Sequence, residues 1–293
     1  MLDVSLWPDA RAEPANGRHY NISQIRTMIS EHYLQRFGGV ARLYGQRSLE
    51  ALAEAHMVVV GLGGVGSWAA EALARSGVGE LTLIDMDDIC VSNSNRQIHA
   101  LNSNVGRSKN AVLRDRLLDI NPELAVHSVD DFLTTGNMRE LIGGQHHVVV
   151  DCMDAVHIKA GLVAYASAIK IRLITVGSSG GKRDPMRIRV SDLANTKADP
   201  MLAKIRTQLY QKYGFARDSE RKFRVDAIFS DEHMVYPKPD GSVCQEKTFV
   251  DGGVKLDCAS GFGSAVMVTG SFGFAAAHQA IKRYLTKALA HSS

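Results

Sequence analysis

The stretch from His56 to Asp85 constrains this chain more than any other. His56-Met-Val-Val-Val60 is an apolar run of strand length that leads into Gly61-Leu-Gly63-Gly64-Val-Gly66. An apolar helix pattern follows from Ser67 to Ser76, then a second strand, Leu81 to Ile84, ending on Asp85. Strand, glycine turn, helix, strand and acid in that order predict a dinucleotide-type α/β fold. The glycines let the backbone approach phosphates, which rest on unpaired N–H groups at a helix N-terminus. Asp85 stands where a carboxylate accepts hydrogen bonds from ribose hydroxyls.

The residues that follow do not read as a dehydrogenase. Asp87-Asp-Ile-Cys-Val-Ser92-Asn93-Ser-Asn95-Arg96-Gln97 comes directly after the ribose acid, and Val105-Gly-Arg-Ser-Lys109 comes next. A third strand, His147 to Val150, closes on Asp151-Cys-Met-Asp154. The carboxyl edge of the sheet, where open α/β folds place ligands, thereby gains Arg96, Lys109 and Asp154. Two cations and a carboxylate suit a triphosphate with Mg²⁺ better than a pyrophosphate with nicotinamide. Each residue also has a plainer reading. Arg96 and Lys109 can be solvated surface charges, and Asp154 can cap a helix.

Taken in order, GLGGVGS, LTLID, SNSNRQ, VGRSK and DCMD resemble the adenylating core of the ubiquitin-activating-enzyme-like family, which includes molybdopterin- and thiamine-pathway adenylyltransferases. The resemblance covers roughly residues 30–180. It implies a Rossmann-like, doubly wound, mainly parallel sheet, ATP as substrate, and adenylation of a carboxylate. Carried over by motif, it implies that Gly61, Gly63, Gly64 and Gly66 line the phosphate turn, with Asp85 and Asp87 on the ribose side. Ser92, Asn93, Asn95 and Arg96 then lie at the phosphates, Lys109 neutralises developing charge, and Asp154 holds Mg²⁺.

Arg36-Phe-Gly-Gly-Val-Ala-Arg42-Leu-Tyr-Gly45 and Cys258-Ala-Ser-Gly261-Phe-Gly263, with the overall length, resemble the branch of this family that dehydrates threonylcarbamoyladenosine in tRNA. That likeness implies tRNA as partner, at the modified adenosine beside the anticodon. Adenylating relatives often carry an arginine near the N-terminus that reaches the partner subunit's ATP. Here glycine fills that slot, so Arg36 and Arg42 are both candidates, and surface pairing is the alternative for each. The family's simple members imply a homodimer; Leu43, Tyr44, Leu49 and Leu52 suit either its interface or the core.

Sulfur-pathway relatives usually carry two CxxC pairs for structural zinc. The cysteines here are Cys90, Cys152, Cys244 and Cys258, with no CxxC, so a thiolate zinc site on that spacing is not expected. Cys152 lies among carboxylates that raise a thiol's pKa, which leaves Cys244 as the exposed candidate thiol, with an unreactive thiol as its plainer reading; a cysteine-desulfurase system is a candidate partner, with no docking point assigned. An adenylyltransferase acting on a ubiquitin-like sulfur-carrier protein is the alternative function. A non-catalytic ATP-binding module is a further one.

The chain has 293 residues, 45% of them hydrophobic, enough for one substantial α/β core. Its net charge of +3 does not by itself point to nucleic acid. The segment Pro200–Arg224 is locally basic: Lys204, Arg206, Lys212, Arg217, Arg221, Lys222 and Arg224 face only Asp218 and Glu220. Such a stretch can bind phosphate backbones, and Tyr210, Tyr213 and Phe215 can stack on bases. An ordinary helix over Met201–Tyr213, with Leu202, Ile205 and Leu209 inward, reads equally well.

Scattered cysteines and no N-terminal signal pattern predict a reduced, cytoplasmic protein. Residues 1–21 read as a flexible extension and 22–293 as a single adenylating domain. Within it an excursion over the active-site face spans about 182–253, and a C-terminal helix spans about 262–289. Ala259–Ala277 is uncharged, but its glycines and hydroxyl residues argue for a helix packed on the sheet rather than a membrane span. Helices are also expected over Ile22–Phe37 and Gly45–Ala55.

Overall fold

In the computed structural model, residues 29–217, 222–238, 240–245 and 263–290 are described. The N-terminal extension, the first residues of the helix expected from Ile22, Arg221, Cys258 and Gly261 lie outside them.

The apolar runs form a seven-stranded sheet in the order β3-β2-β1-β4-β5-β7-β6. Its strands are β1 His56–Val60, β2 Glu80–Ile84, β3 Ala125–Val129, β4 Val148–Asp151, β5 Arg172–Val176, β6 Ile188–Asp192 and β7 Asp226–Ser230. All neighbours are parallel except β6, which runs antiparallel to β7. β1 and β4 are buried at every residue, as strands covered on both faces must be, which is why they read as continuous apolar runs.

Successive residues of a strand face opposite sides, and the two cores divide accordingly. Met57 and Val59 face one core with Leu81, Leu83, Val148 and Val150. Helices α3 (Gly66–Arg75), α4 (Lys109–Ile120) and α8 (Val266–Ala290) cover that side. Val58, Val60 and Val149 face the other core, under α5 (Met138–Leu141), α6 (Val156–Ile169) and α7 (Pro200–Lys212). The fold is thus doubly wound.

Chain order leaves β1 toward β2 and β3 on one side and toward β4 and β5 on the other. The crevice between the carboxyl ends of β1 and β4 is therefore the topological switch point, where open α/β sheets bind ligands. The glycine turn follows β1 and Asp154 follows β4, so both predicted motifs converge there.

Three expectations change. The N-terminal helix does not stop at Phe37: α1 runs Glu31–Tyr44 through Gly38 and Gly39. Tyr33 and Phe37 pack with Val40 and Ala41, so the apolar stripe continues past the glycines. The helix ends only at Gly45, whose φ of 94° suits glycine, and α2 (Gln46–Ala53) follows. Secondly, the segment read as an excursion contributes β6, α7 and β7 to the body of the fold, because its apolar residues complete the second core. Beyond them, β8 (Tyr236–Pro237) and β9 (Val243–Cys244) form a small hairpin. Thirdly, Leu49 and Leu52 are core residues, whereas Leu43 and Tyr44 are exposed.

The uncharged C-terminal segment forms α8, which lies against α3. A Cβ on Gly273 would meet the Val65 carbonyl and Trp68, and Gly270 faces the Trp68 ring. The small residues permit this close approach. Among the described residues, no helix is long and apolar enough to cross a membrane.

Candidate functional site at the switch point

Gly61 leaves β1 with φ 83°. A Cβ there would lie 3.1 Å from the Cys152–Met153 peptide, so the glycine turn presses directly on the loop that carries Asp154. At Gly66 a Cβ would land on the Gly61 carbonyl; the turn closes only because both positions lack side chains. α3 starts there with no side-chain cap; the Ser67 N–H turns back to the Gly63 carbonyl at 3.1 Å, and an uncapped helix start of this kind favours an anion.

Asp85 is buried and secures this turn. Its Oδ2 accepts the Leu62 N–H at 2.6 Å, and its Oδ1 accepts the Asp87 N–H at 2.9 Å. Burial raises the Asp85 pKa, against the opposing pull of Lys109 and the two N–H groups. Lys109 is itself buried at the start of α4. Its Nζ donates to Asp87 Oδ2 at 2.6 Å and lies 3.9 Å from Asp85 Oδ1. The next residue, Asn110, donates to the Asp85 and Val129 carbonyls at 2.9 and 2.8 Å. This holds the α4 N-terminus against the ends of β2 and β3. Lys109 is thus no solvated surface charge.

Arg96 is half-buried with its stem over Gly64, whose Cβ would meet Cγ and Cδ at 3.1 and 3.2 Å. Its Nη1 donates to the Ser92 carbonyl at 2.8 Å and to Asn95 Oδ1 at 2.9 Å. Asn95 in turn donates to the Ser264 carbonyl at 2.8 Å. Asn93 differs from expectation: it is buried, and its Oδ1 accepts the Cys90 N–H at 3.1 Å. It shapes the loop rather than aiming outward, because a tight 3₁₀ turn needs its orphan N–H satisfied. Ser92 is exposed and meets Arg96 through its carbonyl alone.

Asp154 is exposed and has no hydrogen-bond or ion-pair partner among the described residues. Nor does it cap α6, whose N-cap is Ala155 with no side-chain bond. A free carboxylate beside a phosphate-binding turn fits a divalent cation with oxygen ligands. Cys152, by contrast, is blunted: burial pushes its thiol up to about 12, partly offset by Lys159, with Asp151 adding a smaller upward push. Among the described cysteines Cys90 is exposed and Cys244 is half-buried, which corrects the expected order of exposure.

The structure does not bring Arg36 or Arg42 to this crevice within one chain. Arg36 Nη1 donates to the Ile120 carbonyl at 3.4 Å, at the far end of α4 from Lys109. Twelve helical residues separate the two ends by roughly 18 Å at 1.5 Å per residue. Arg42 is exposed on the same helix, with its guanidinium beside Gly38.

The family-level match now has a structural setting. Residues 38–292 match the model of the ThiF family. The chain belongs to the ThiF family. It is 51% identical over 264 residues to a tRNA threonylcarbamoyladenosine dehydratase of Escherichia coli (strain K12), covering 90% of this chain and 98% of that protein. Against the Haemophilus influenzae protein of the same name, identity is 45% over 257 residues, covering 88% and 96%. A solved structure of the E. coli tRNA N6-threonylcarbamoyladenosine dehydratase in complex with ATP superposes with a TM-score of 0.78 at 47% identity, covering 89% of this chain and 98% of that one.

Two features of the site escaped the sequence. Beneath the Asp154 loop, fully buried Lys159 lies 2.9 Å from Asp151 Oδ1, while Thr175 donates to Asp151 Oδ2 at 2.8 Å. A lone lysine in the apolar helix 156–169 was the available signal. Around the glycine turn, Gln97 Oε1 and Thr269 Oγ1 are buried without partners among the described residues. Thr269 comes from α8, two hundred residues along the chain, and no motif marks it.

On the surface of the second core, Lys204, Lys212, Arg217, Lys222 and Arg224 are exposed. The aromatic residues beside them are not free platforms. Tyr210 and Phe215 pack on Phe223, and Tyr213 lies against Gly161, since the core needs their area more than the solvent face does.

Proposed function

We propose that the chain is an ATP-dependent dehydratase that cyclises threonylcarbamoyladenosine in tRNA through an acyl-adenylate. The observation that carries this reading is the coincidence of the glycine turn, Lys109, Arg96 and unpartnered Asp154 at one switch point, in a chain so similar to proteins of that name along their length. The relative's complex with ATP supports ATP as substrate.

The threonyl carboxylate attacks the α-phosphate, the bond to the β-phosphate breaks, and pyrophosphate leaves. The amides at the α3 N-terminus and the Arg96 guanidinium face the negative charge that develops. Lys109 shifts from Asp87 toward the phosphates, and Asp85 accepts from the ribose while keeping the turn in place. Asp154 would hold Mg²⁺, which would supply charge neutralisation at the phosphates. The carbamoyl group of the same substrate then attacks the activated carbonyl, and AMP departs with the carboxylate oxygen. Holding both groups on one nucleoside supplies much of this second step, so no enzyme thiol is required. The blunted Cys152 accords with that.

In this reading the enzyme works as a cytoplasmic homodimer in which Arg36 or Arg42 serves the partner's site. The exposed cations of 204–224 receive the tRNA backbone, and a cysteine-desulfurase system is a further partner. The direct test is ATP–pyrophosphate exchange. It should depend on tRNA bearing threonylcarbamoyladenosine and be lost in Asp154→Ala. Exchange driven instead by a small carrier protein with a C-terminal glycine would install the sulfur-carrier alternative.

A further inference from the structure

The opposite edge of the sheet carries a second cluster that the adenylation chemistry does not use. His56 opens β1 directly across from Glu80 on β2, and His127 on β3 lies across from Thr82. Because side chains alternate along strands, His56, Glu80, Thr82 and His127 share one face. The ligand atoms of His56, Glu80 and His127 all fall within 4.8 Å of one another. Glu80 Oε1 lies 3.4 Å from His56 Nδ1 and 2.6 Å from His127 Nε2. From its register four residues before Val60, the cluster is roughly 13 Å from the start of the glycine turn at 3.3 Å per residue.

We propose that His56 Nδ1, the Glu80 carboxylate and His127 Nε2 bind one Zn²⁺ ion, with water completing a tetrahedron, and that this ion clamps the edge strand β3 to β2 and β1.

Several observations support a metal here over an incidental contact. The His56 ring is fixed before any ion arrives: its Nε2 bonds Thr82 Oγ1 at 2.8 Å, the outer-shell bond that orients metal-bound imidazoles. Metal binding through Nδ1 requires the tautomer in which Nε2–H donates to Thr82, and in that tautomer Nδ1 presents its lone pair toward the Glu80 carboxylate. Two acceptors then face each other across the gap a cation fills. The backbone at His56 is held too, its N–H donating to His147 Nδ1 at 2.9 Å, and the His146 ring packs edge-on 4.4 Å away.

Geometry favours zinc. Bonds of ~2.0–2.1 Å in a tetrahedron set neighbouring ligand atoms roughly 3.3 Å apart, which the His56–Glu80 separation already matches. His127 Nε2, 2.6 Å from Glu80 Oε1, must draw back from that oxygen to share an ion with it, and its half-exposed side chain on an edge strand can adjust. Two imidazoles and one carboxylate form a donor set suited to zinc. The site is unrelated to the thiolate site that the cysteine spacing argues against, and it departs from a sequence reading that held no zinc.

The test uses the full-length protein stripped with chelator. Zn²⁺ is titrated in competition with a chromophoric chelator, and Co²⁺ is added in parallel as a spectroscopic probe. One tight equivalent per chain is expected, with a tetrahedral Co²⁺ spectrum free of thiolate charge-transfer bands. Affinity should fall at least tenfold in both His127→Ala and Glu80→Gln and should persist in His278→Ala, a change at an exposed histidine on α8. The melting temperature should rise with Zn²⁺ in the parent and not in His127→Ala, whose metal-free melting temperature reports that it folds. Absence of a stoichiometric equivalent overturns the proposal, as does binding that survives both ligand variants or that vanishes in Cys90→Ser. The cluster would then be a histidine–carboxylate hydrogen bond and nothing more.

Discussion

Replacing Lys159 with methionine separates the support of the site from its chemistry. Lys159 and Asp151 are both fully buried. The lysine makes two bonds to Asp151, one to Oδ1 at 2.9 Å and one to the main-chain carbonyl at 3.1 Å. Lys159→Met fits the volume but strands the carboxylate with only Thr175 Oγ1 and the Met153 N–H as donors among the described residues. Removing one partner of a buried pair costs about 3–5 kcal/mol. For a domain of this size that lowers the melting temperature by roughly 10 °C. The double variant Lys159→Met/Asp151→Asn removes the stranded charge, so it should be more stable than Lys159→Met alone by about 2 kcal/mol. Equilibrium urea unfolding of the parent, both single variants and the double variant measures the coupling. Strict additivity, or a loss below about 1 kcal/mol in Lys159→Met, would refute the assignment of the pair as buried and mutually dependent.

Other outcomes follow from the same structure. Gly66→Ala forces a Cβ onto the Gly61 carbonyl; overpacking of this kind costs about 1–3 kcal/mol, and ATP binding measured by calorimetry should be lost while the chain still folds. His99 is buried with both ring nitrogens unpartnered among the described residues, and burial, then Lys109, pushes its pKa from 6.5 to about 4. A depressed histidine contributes stability that is complete above the unfolded pKa and lost as pH falls toward the folded one. Its share amounts to up to about 3 kcal/mol, so His99→Gln should flatten the loss of stability between neutral pH and pH ~4.5, and an unchanged acid profile would count against it. Reversing Lys204 and Lys212 to glutamate should weaken tRNA binding and lower the slope of log affinity against log salt by about 1 per lost phosphate contact, and a binding isotherm series at several salt concentrations reads this directly.

The nucleotide half of the molecule was legible because its physics is local. An apolar strand, glycines where no Cβ fits, and an acid at the next strand end each leave their mark within a few residues of where they act. Lys109 and Asp154 were singled out as candidates on the same local grounds. What stayed hidden depends on distant partners. Asn93 read as a phosphate ligand because its motif lies beside the turn, yet its bond to the Cys90 N–H is visible only once the loop closes. Thr269 reaches the turn from the last helix, and Lys159 finds Asp151 across a strand–helix boundary. The basic segment misled in another way. Its cations are exposed as expected, but its aromatics are committed to the second core, since a helix carrying both a charged face and an apolar face reads alike for either role.

The most direct measurement is to incubate the protein with ATP, Mg²⁺ and tRNA carrying threonylcarbamoyladenosine, digest the tRNA, and weigh its nucleosides. The account predicts a modified adenosine one water lighter, formed only with ATP, accompanied by AMP and pyrophosphate, and absent with Asp154→Ala. An unchanged nucleoside mass from folded, ATP-binding protein would contradict it.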